Sequence, residues 1–284
     1  MLDSLIDQTI PTERFEIIVV DDGSKDETSL VCKQYQCKFP NMIYRYLNDN
    51  VGIGRARNVG VIASTSDFLL FTDDDCIPAR NWIERTCEAL KIHSIVAGAV
   101  DGPMSPYLCL CHNVAEFHAL MPGKKQGITS FIAGANMGIR REVLCDLHGF
   151  SESLRIAEDM ELILRAYRQG YVVYFLPESL VMHHHDRKCF SQIVDYSVQH
   201  ARSTILLRNT YRRLMRTPYI LRSRRLLLLS APLIAMVTTC AIFFRNPRMA
   251  RYIHTTPVIF CLKIAWCWGA AQGLKDFRLK LPEG

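Results

Sequence analysis

Residues 68–78 read FLLFTDDDCIP: four apolar residues and a threonine, then three consecutive aspartates, Asp73, Asp74 and Asp75, and a turn into proline. A short apolar run bounded by polar residues is the pattern of a buried strand, and it delivers its acids to the loop at the strand's carboxyl end. Carboxylates packed this closely repel one another, so at least one holds a raised pKa unless a cation sits among them. A divalent metal removes that cost. Hard oxygen ligands on a loop select magnesium or manganese, ions that complete their shell with substrate phosphates rather than with a full protein cage. The stretch therefore reads as a metal site that also holds a diphosphate. An acidic turn capping the helix expected over Pro78 to Leu90 needs one aspartate, not three.

Working outward, the same arrangement occurs twice upstream. FEIIVVDDGSKDET (15–28) is a β-branched run ending in Asp21 and Asp22 before a helix start, and MIYRYLNDNVGIGRARNVGVIAS (42–64) supplies a strand at 42–47, a glycine-rich loop at 48–54 and a helix carrying Arg55, Arg57 and Asn58. Strands alternating with helices predict an α/β fold with a doubly wound, mostly parallel sheet, whose ligands bind beyond the carboxyl ends of the strands. Downstream, a strand is expected from Ile95 to Val100, followed by an irregular stretch through Gly127. SFIAGANMGIRREVL (130–144) reads as strand, turn and helix. ESLRIAEDMELILRAYRQG (152–170) reads as a helix with Met160, Ile163, Leu164 and Tyr167 on one face. YVVYFLPESLVMHHH (171–185) reads as two short strands.

The chain has 284 residues, of which 49% are hydrophobic and 22% charged, which excludes disorder. Its net charge of +6 is mild, but residues 187–225 hold ten Arg or Lys against one acid, Asp195. Eleven cysteines without CxxC pairs read as reduced cytosolic thiols rather than as a zinc site. Leu226 to Phe244 is nineteen residues without a charge, and Thr255 to Leu274 is a second apolar stretch interrupted by Lys263. The arginine-rich flank lacks the interleaved aromatics of a nucleic-acid surface and suits anionic lipid instead. If both apolar segments cross, the eight arginines from 202 to 225 outweigh Arg245, Arg248 and Arg251 and keep the N-terminal part cytoplasmic. Both could instead lie in the membrane interface.

Five motifs occur in order: VVDDGS (19–24), the pattern Asn50, Gly52, Ala56, Arg57, Asn58 and Gly60, then TDDDCIP (72–78), GANMGIRREV (134–143) and AEDMELILRAYRQGY (157–171). Together they resemble the family 2 glycosyltransferases of the GT-A, nucleotide-diphospho-sugar transferase fold, over residues 1 to about 200. The resemblance implies that Asp22 contacts the base or ribose, with Arg57 and Asp74 in the nucleotide-sugar site. Asp73 and Asp75 would form the DxD motif, Asp73 nearer the ribose and Asp75 ligating Mn2+ or Mg2+ together with His183. It also implies that Glu158 and Asp159 are the catalytic acidic pair, Asp159 the general base, and that Gly134 and Asn136 lie near the sugar or acceptor. Processive synthases carry QxxRW beyond that pair. Here Gln199 and Arg202 share a helical face and would touch the diphosphate or acceptor, while Ser203 stands where tryptophan belongs, which favours transfer of single sugars. The family also opens with a strand that precedes the helix found here as LDSLIDQTIP, and this chain begins inside that helix, so the expectation is a natural protein that starts upstream or a fragment with impaired donor binding.

The expected organisation is a catalytic domain over 1–200, an arginine-rich juxtamembrane segment over 201–225, one or two transmembrane or interfacial helices over 226–274 and a polar tail over 275–284. The expected function is inverting transfer of a sugar from a nucleoside-diphosphate donor to a lipid-linked or other glycan acceptor at the cytoplasmic face of a membrane, without nucleic acid, in cell-surface glycan synthesis. The alternatives are a processive polysaccharide synthase with a degenerate QxxRW and, from another class, a noncatalytic membrane-tethered subunit that binds nucleotide sugar.

Overall fold

The structure is a computed structural model that describes residues 1–244 and 247–280. Arg245 and residues 281–284 of the expected tail lie outside the described residues. The chain begins α1 (Leu2–Ile6), β1 (Ile17–Asp21), α2 (Thr28–Gln36), β2 (Met42–Tyr46), α3 (Ile53–Ala63), β3 (Phe68–Phe71), β4 (Cys76–Pro78), α4 (Trp82–Leu90) and β5 (Ile95–Asp101). It continues with α5 (Tyr107–Phe117), β6 (Gly127–Thr129), β7 (Met137–Arg140), α6 (Arg141–Asp146), α7 (Glu158–Arg168) and β8 (Val173–His183). The rest is helical: α8 (Phe190–Thr210), α9 (Arg224–Leu229), α10 (Ala231–Phe244) and α11 (Thr256–Lys280).

Two compact units result, one of Met1–Asp101 with Lys125–His184 and one of Gly102–Lys124 with the chain from His185 onward. The division at His184 therefore precedes the expected boundary at residue 200. In the first unit β1 and β2 pair in parallel, and a six-stranded sheet runs β3-β7-β5-β8-β4 with β6 also on β8. The pair β5–β8 is parallel, while β7, β4 and β6 run antiparallel to their partners, so the α/β sheet is mixed. Its centre is β5, whose residues Ile95 to Val100 are buried. The helix α4 covers it with Trp82, Ile83, Thr86, Ala89 and Leu90, apolar spacing that turns one helical face to the sheet. Each such fully buried Leu or Ile contributes about 2 kcal/mol.

Three expectations of detail change. Pro78 ends a strand rather than opening a helix, because Cys76–Pro78 pairs with Val181–His183 and the helix begins at Trp82. The stretch taken as irregular contains α5, whose face from Cys109 to Ala115 is buried. The two strands expected over 171–185 are one, β8, in which Pro177 falls at a register break opposite Gly98 and Ala99. A proline lacks the N–H that an unbroken ladder needs there.

The second unit is helical, and α11 packs along α8. Gly269 and Gly273 have no room for a side chain, since a β-carbon there would collide with the Val198 and Arg202 carbonyls respectively. Lys263, the charge inside that apolar stretch, faces protein: its Nζ donates to the Ala115 carbonyl at 3.2 Å. The helix over 248–276 is long and apolar enough to cross a membrane by length and composition, and Ala231–Phe244 is a shorter apolar helix. All eleven cysteines are free.

Candidate active site

The six-stranded sheet brings the loop after β3 and the end of β8 together, and Arg57 of α3 joins them to the start of α7. The end of β3 releases Asp73 to Asp75, and the antiparallel pairing of β4 with β8 sets Cys76 opposite His183. Asp73, Asp75, Cys76 and His183 offer one ligand atom each, all within 4.8 Å of one another. His183 Nε2 lies 3.5 Å from Asp75 Oδ1. Asp74 between them points to solvent.

These four donors fit a divalent cation. Two carboxylate oxygens, an imidazole nitrogen and a sulfur converge closely enough to share one ion, and the oxygen and nitrogen donors suit manganese or magnesium. The electrostatics agree. Burial pushes the Asp73 carboxyl above its ordinary pKa, and Asp75 adds to that, against the pull of Arg57 and His183. Burial, with Asp73 beside it, pushes the Cys76 thiol up to about 12. A cation would lower both. Cys76 was missed in the sequence, although it follows Asp75 directly. Only the strand pairing with His183 turns it inward.

Arg57 is the hub of the neighbouring acids. Its guanidinium, 10% exposed, bonds Glu158 Oε1 through Nη1 and Asp73 Oδ1 at 3.2 Å through Nη2, with the Phe150 ring 5.6 Å away. A β-carbon at Gly134 would collide with that guanidinium, so glycine is required where the 134–136 turn passes. Both of its amino groups hold protein carboxylates, so Arg57 links the aspartate loop after β3 to the start of α7.

Glu158 and Asp159 open α7, after Ala157 in a left-handed conformation at φ 71°. For a residue with a β-carbon this costs on the order of 1 kcal/mol, strain that concentrates at functional sites. The two acids diverge. Burial first, then Asp159, raises Glu158 to about 7 against the pull of Arg57. Asp159 is partly exposed, its Oδ2 accepting from the Gly134 N–H at 2.8 Å and its Oδ1 from the Met160 N–H at 2.6 Å.

At the end of β1, Asp22 accepts the Val51 and Gly52 N–H groups at 2.7 and 2.9 Å, clamping the turn that opens α3, where Gly52 has φ 93°. Asp21 accepts from the Tyr44 hydroxyl at 2.6 Å and Ser24 N–H at 2.7 Å. Burial raises its pKa, but these hydrogen bonds outweigh that and leave it lowered.

Asn136 stands apart from its expected acceptor role. It is 1% exposed, accepts from Trp82 Nε1 at 2.8 Å and donates to the Ala99 and Ser179 carbonyls, both at 2.8 Å. Its amide is saturated inside the sheet, so it fixes the fold under the site. Asn136→Ala is expected to cost roughly 3–5 kcal/mol in urea unfolding, because several buried groups lose partners at about 1–3 kcal/mol each. A loss below about 1 kcal/mol would contradict this role. Gln199 and Arg202 lie on α8 in the second unit, where Arg202 Nη2 pairs with Asp276 at 2.8 Å.

A mixed α/β sheet with acidic loops at its strand ends and an adjoining acidic pair at a helix start defines a GT-A glycosyltransferase fold. The glycosyl transferase family 2 profile matches residues 1–147 and that of glycosyl transferase family group 2 matches residues 76–269, so the chain belongs to glycosyl transferase family 2. It is 25% identical to glycosyltransferase AglE of Haloferax volcanii over 184 residues, 64% of this chain and 60% of the relative. It is 28% identical to the O-antigen chain rhamnosyltransferase RfbN of Salmonella typhimurium over 226 residues, 74% and 70% of the two chains. The chain spans 37% of the length of the pre-mycofactocin glycosyltransferase of Mycobacterium tuberculosis, which it matches at 29% identity over 60% of its own length. In fold it is similar to the mannosyltransferase PcManGT of Pyrobaculum calidifontis in complex with GDP-Man and Mn2+, with TM-score 0.60 and 18% identity over 99% of this chain and 83% of that one. It is likewise similar to S. aureus TarS 1-349 in complex with UDP, with TM-score 0.56 and 17% identity over 100% and 88%.

Proposed function

We propose that the chain is an inverting, metal-dependent glycosyltransferase that moves a sugar from a nucleoside-diphosphate donor to a lipid-linked or other glycan acceptor at the cytoplasmic face of a membrane, in cell-surface glycan synthesis. The observation that carries this reading is the continuity of the site: the donor set of Asp73, Asp75, Cys76 and His183 joins the acidic pair of α7 through one buried arginine. Support also comes from relatives named for O-antigen and teichoic acid synthesis and from fold neighbours holding GDP-Man with Mn2+ or UDP.

A divalent cation bound by Asp73, Asp75 and His183 would neutralise charge on the departing diphosphate. Asp159 accepts the proton of the attacking acceptor hydroxyl at its free lone pairs, as that oxygen bonds the anomeric carbon and the carbon–diphosphate bond breaks. The products are the glycosidic bond of inverted configuration and the nucleoside diphosphate. Arg57 holds Asp73 and Glu158 in place, and Asp22 fixes the turn before α3 beside the donor.

Nucleoside diphosphates and their sugars, tested in thermal unfolding with and without Mn2+ or Mg2+, check the reading. Stabilisation is expected only with metal present, and Asp75→Asn is expected to abolish it, because a ligand that binds only the native state raises its apparent stability. No stabilisation by any nucleotide with either metal would overturn the proposal.

A further inference from the structure

Between Asp195 and Asp276 the chain has no acidic residue and carries thirteen Arg or Lys. Within that stretch α9 and α10 are two-faced. Leu227, Ala231, Ala235, Thr239, Ile242 and Phe243 form a buried stripe, in which Leu227 and Ala231 pack with α8 and α11, and Ile242 and Phe243 with α5, α8 and α11. The opposite side exposes Leu226 at 41%, Leu229 at 82%, Leu233 at 57%, Met236 at 51%, Val237 at 56% and Phe244 at 85%. No charge interrupts this outer stripe. Its hydroxyls are satisfied within the helices, Ser230 Oγ donating to the Leu226 carbonyl at 2.6 Å and Thr238 Oγ1 to the Ile234 carbonyl at 2.7 Å. Five exposed arginines, Arg212, Arg213, Arg216, Arg224 and Arg225, immediately precede it.

An apolar face of this kind without polar atoms to hydrate, beside unopposed positive charge, is complementary to an anionic lipid surface. The burial pattern favours lying over spanning, because one whole side of both helices is taken up by the chain's own core. Ser230 separates α9 from α10, although its N–H still donates to the Leu226 carbonyl and its carbonyl accepts from the Ile234 N–H. The inner stripe is covered by the chain's own helices, as for a helix lying along the boundary.

We propose that α9 and α10 lie flat in the interface of an anionic phospholipid bilayer, with the stripe from Leu226 to Phe244 among the upper acyl chains and the five arginines at lipid phosphates. This deepens the membrane part of the proposed function. It is read out without donor, acceptor or metal, so its failure is separate from failure of the transferase reading.

The test adds the full chain to preformed phosphatidylcholine vesicles with and without phosphatidylglycerol and measures co-sedimentation. Affinity is expected to rise at least 100-fold with phosphatidylglycerol, since each arginine near the surface contributes about fivefold. Leu229→Glu and Leu233→Glu are each expected to weaken binding about tenfold or more with unchanged melting temperature, as both side chains are already exposed. Binding that ignores phosphatidylglycerol or survives both substitutions overturns the proposal. Depth is read separately with Leu229→Trp, Met236→Trp and Phe244→Trp, as the change from the parent's quenching by brominated lipids. Equal, shallow quenching is expected at all three positions. A markedly deeper Met236→Trp indicates a spanning helix and also overturns it.

Discussion

Asp159→Asn is expected to slow sugar transfer about 10³-fold, within the 10²–10⁴ that a positioned general base contributes, with donor affinity changed by less than about twofold. The reason lies in how the two acids of α7 differ. Glu158 is buried, paired with Arg57 and raised to about 7, so near neutral pH it is a partly protonated group already engaged by a cation. Asp159 is the one open to an incoming hydroxyl, and its hydrogen bonds from Gly134 and Met160 N–H groups use one lone pair on each oxygen. An asparagine keeps the shape and one of those bonds but cannot take a proton. Single-turnover transfer and thermal stabilisation by donor, measured on the same variant, separate the base from a structural role. Turnover above about a tenth of the parent would remove Asp159 from the mechanism, since a lost general base costs at least about 10²-fold.

Much of this site was legible in the order of the residues, because apolar runs that end in acids mark strand ends wherever they fall. That logic located Asp21 and Asp22 and Asp73 to Asp75, while the acidic pair that opens α7 was found through the family resemblance. It could not show pairing partners, which depend on contacts far apart in sequence. Cys76 faces the donors only because β4 runs antiparallel to β8, and the chain reveals that pairing nowhere locally. Asn136 was expected near the sugar or acceptor because GANMGIRREV resembles a family motif, yet Trp82, Ala99 and Ser179 converge on its amide from three other segments. The helix α5 was hidden for a different reason. Its run of Cys, Leu, His, Asn and Val is buried on nearly every side, which erases the two-faced pattern that marks a surface helix. The apolar run over 226–244 showed its length but not its division at Ser230 or which side its own neighbours cover.

Arg57→Ala is expected to lower the stability of the metal-free chain by roughly 3–5 kcal/mol at pH 8, the cost of leaving a buried charge without its partner. The penalty is expected to depend on pH, with a sign fixed by Glu158. Its folded pKa of about 7 stands above the ordinary 4.5, so between those values the folded chain holds a proton that the unfolded chain has released. Stability is therefore full below pH 4.5 and is lost as pH rises through 7, by on the order of 3 kcal/mol if the shift is realised in full. Arg57 limits that loss, because it favours the ionised form. Removing it pushes the Glu158 pKa higher still and extends the decline to higher pH. At pH 5, where Glu158 is protonated in both variants, the guanidinium has only a neutral hydrogen bond and the Asp73 contact to lose, and the expected difference falls below about 2 kcal/mol. Urea unfolding of parent and variant at pH 5 and pH 8, in chelator to exclude metal, measures both values. Equal losses at the two pH values would show that the pair is not the titrating element, while Arg57→Ala with Glu158→Gln is expected to recover most of the loss at pH 8, since it removes the stranded charge together with its partner.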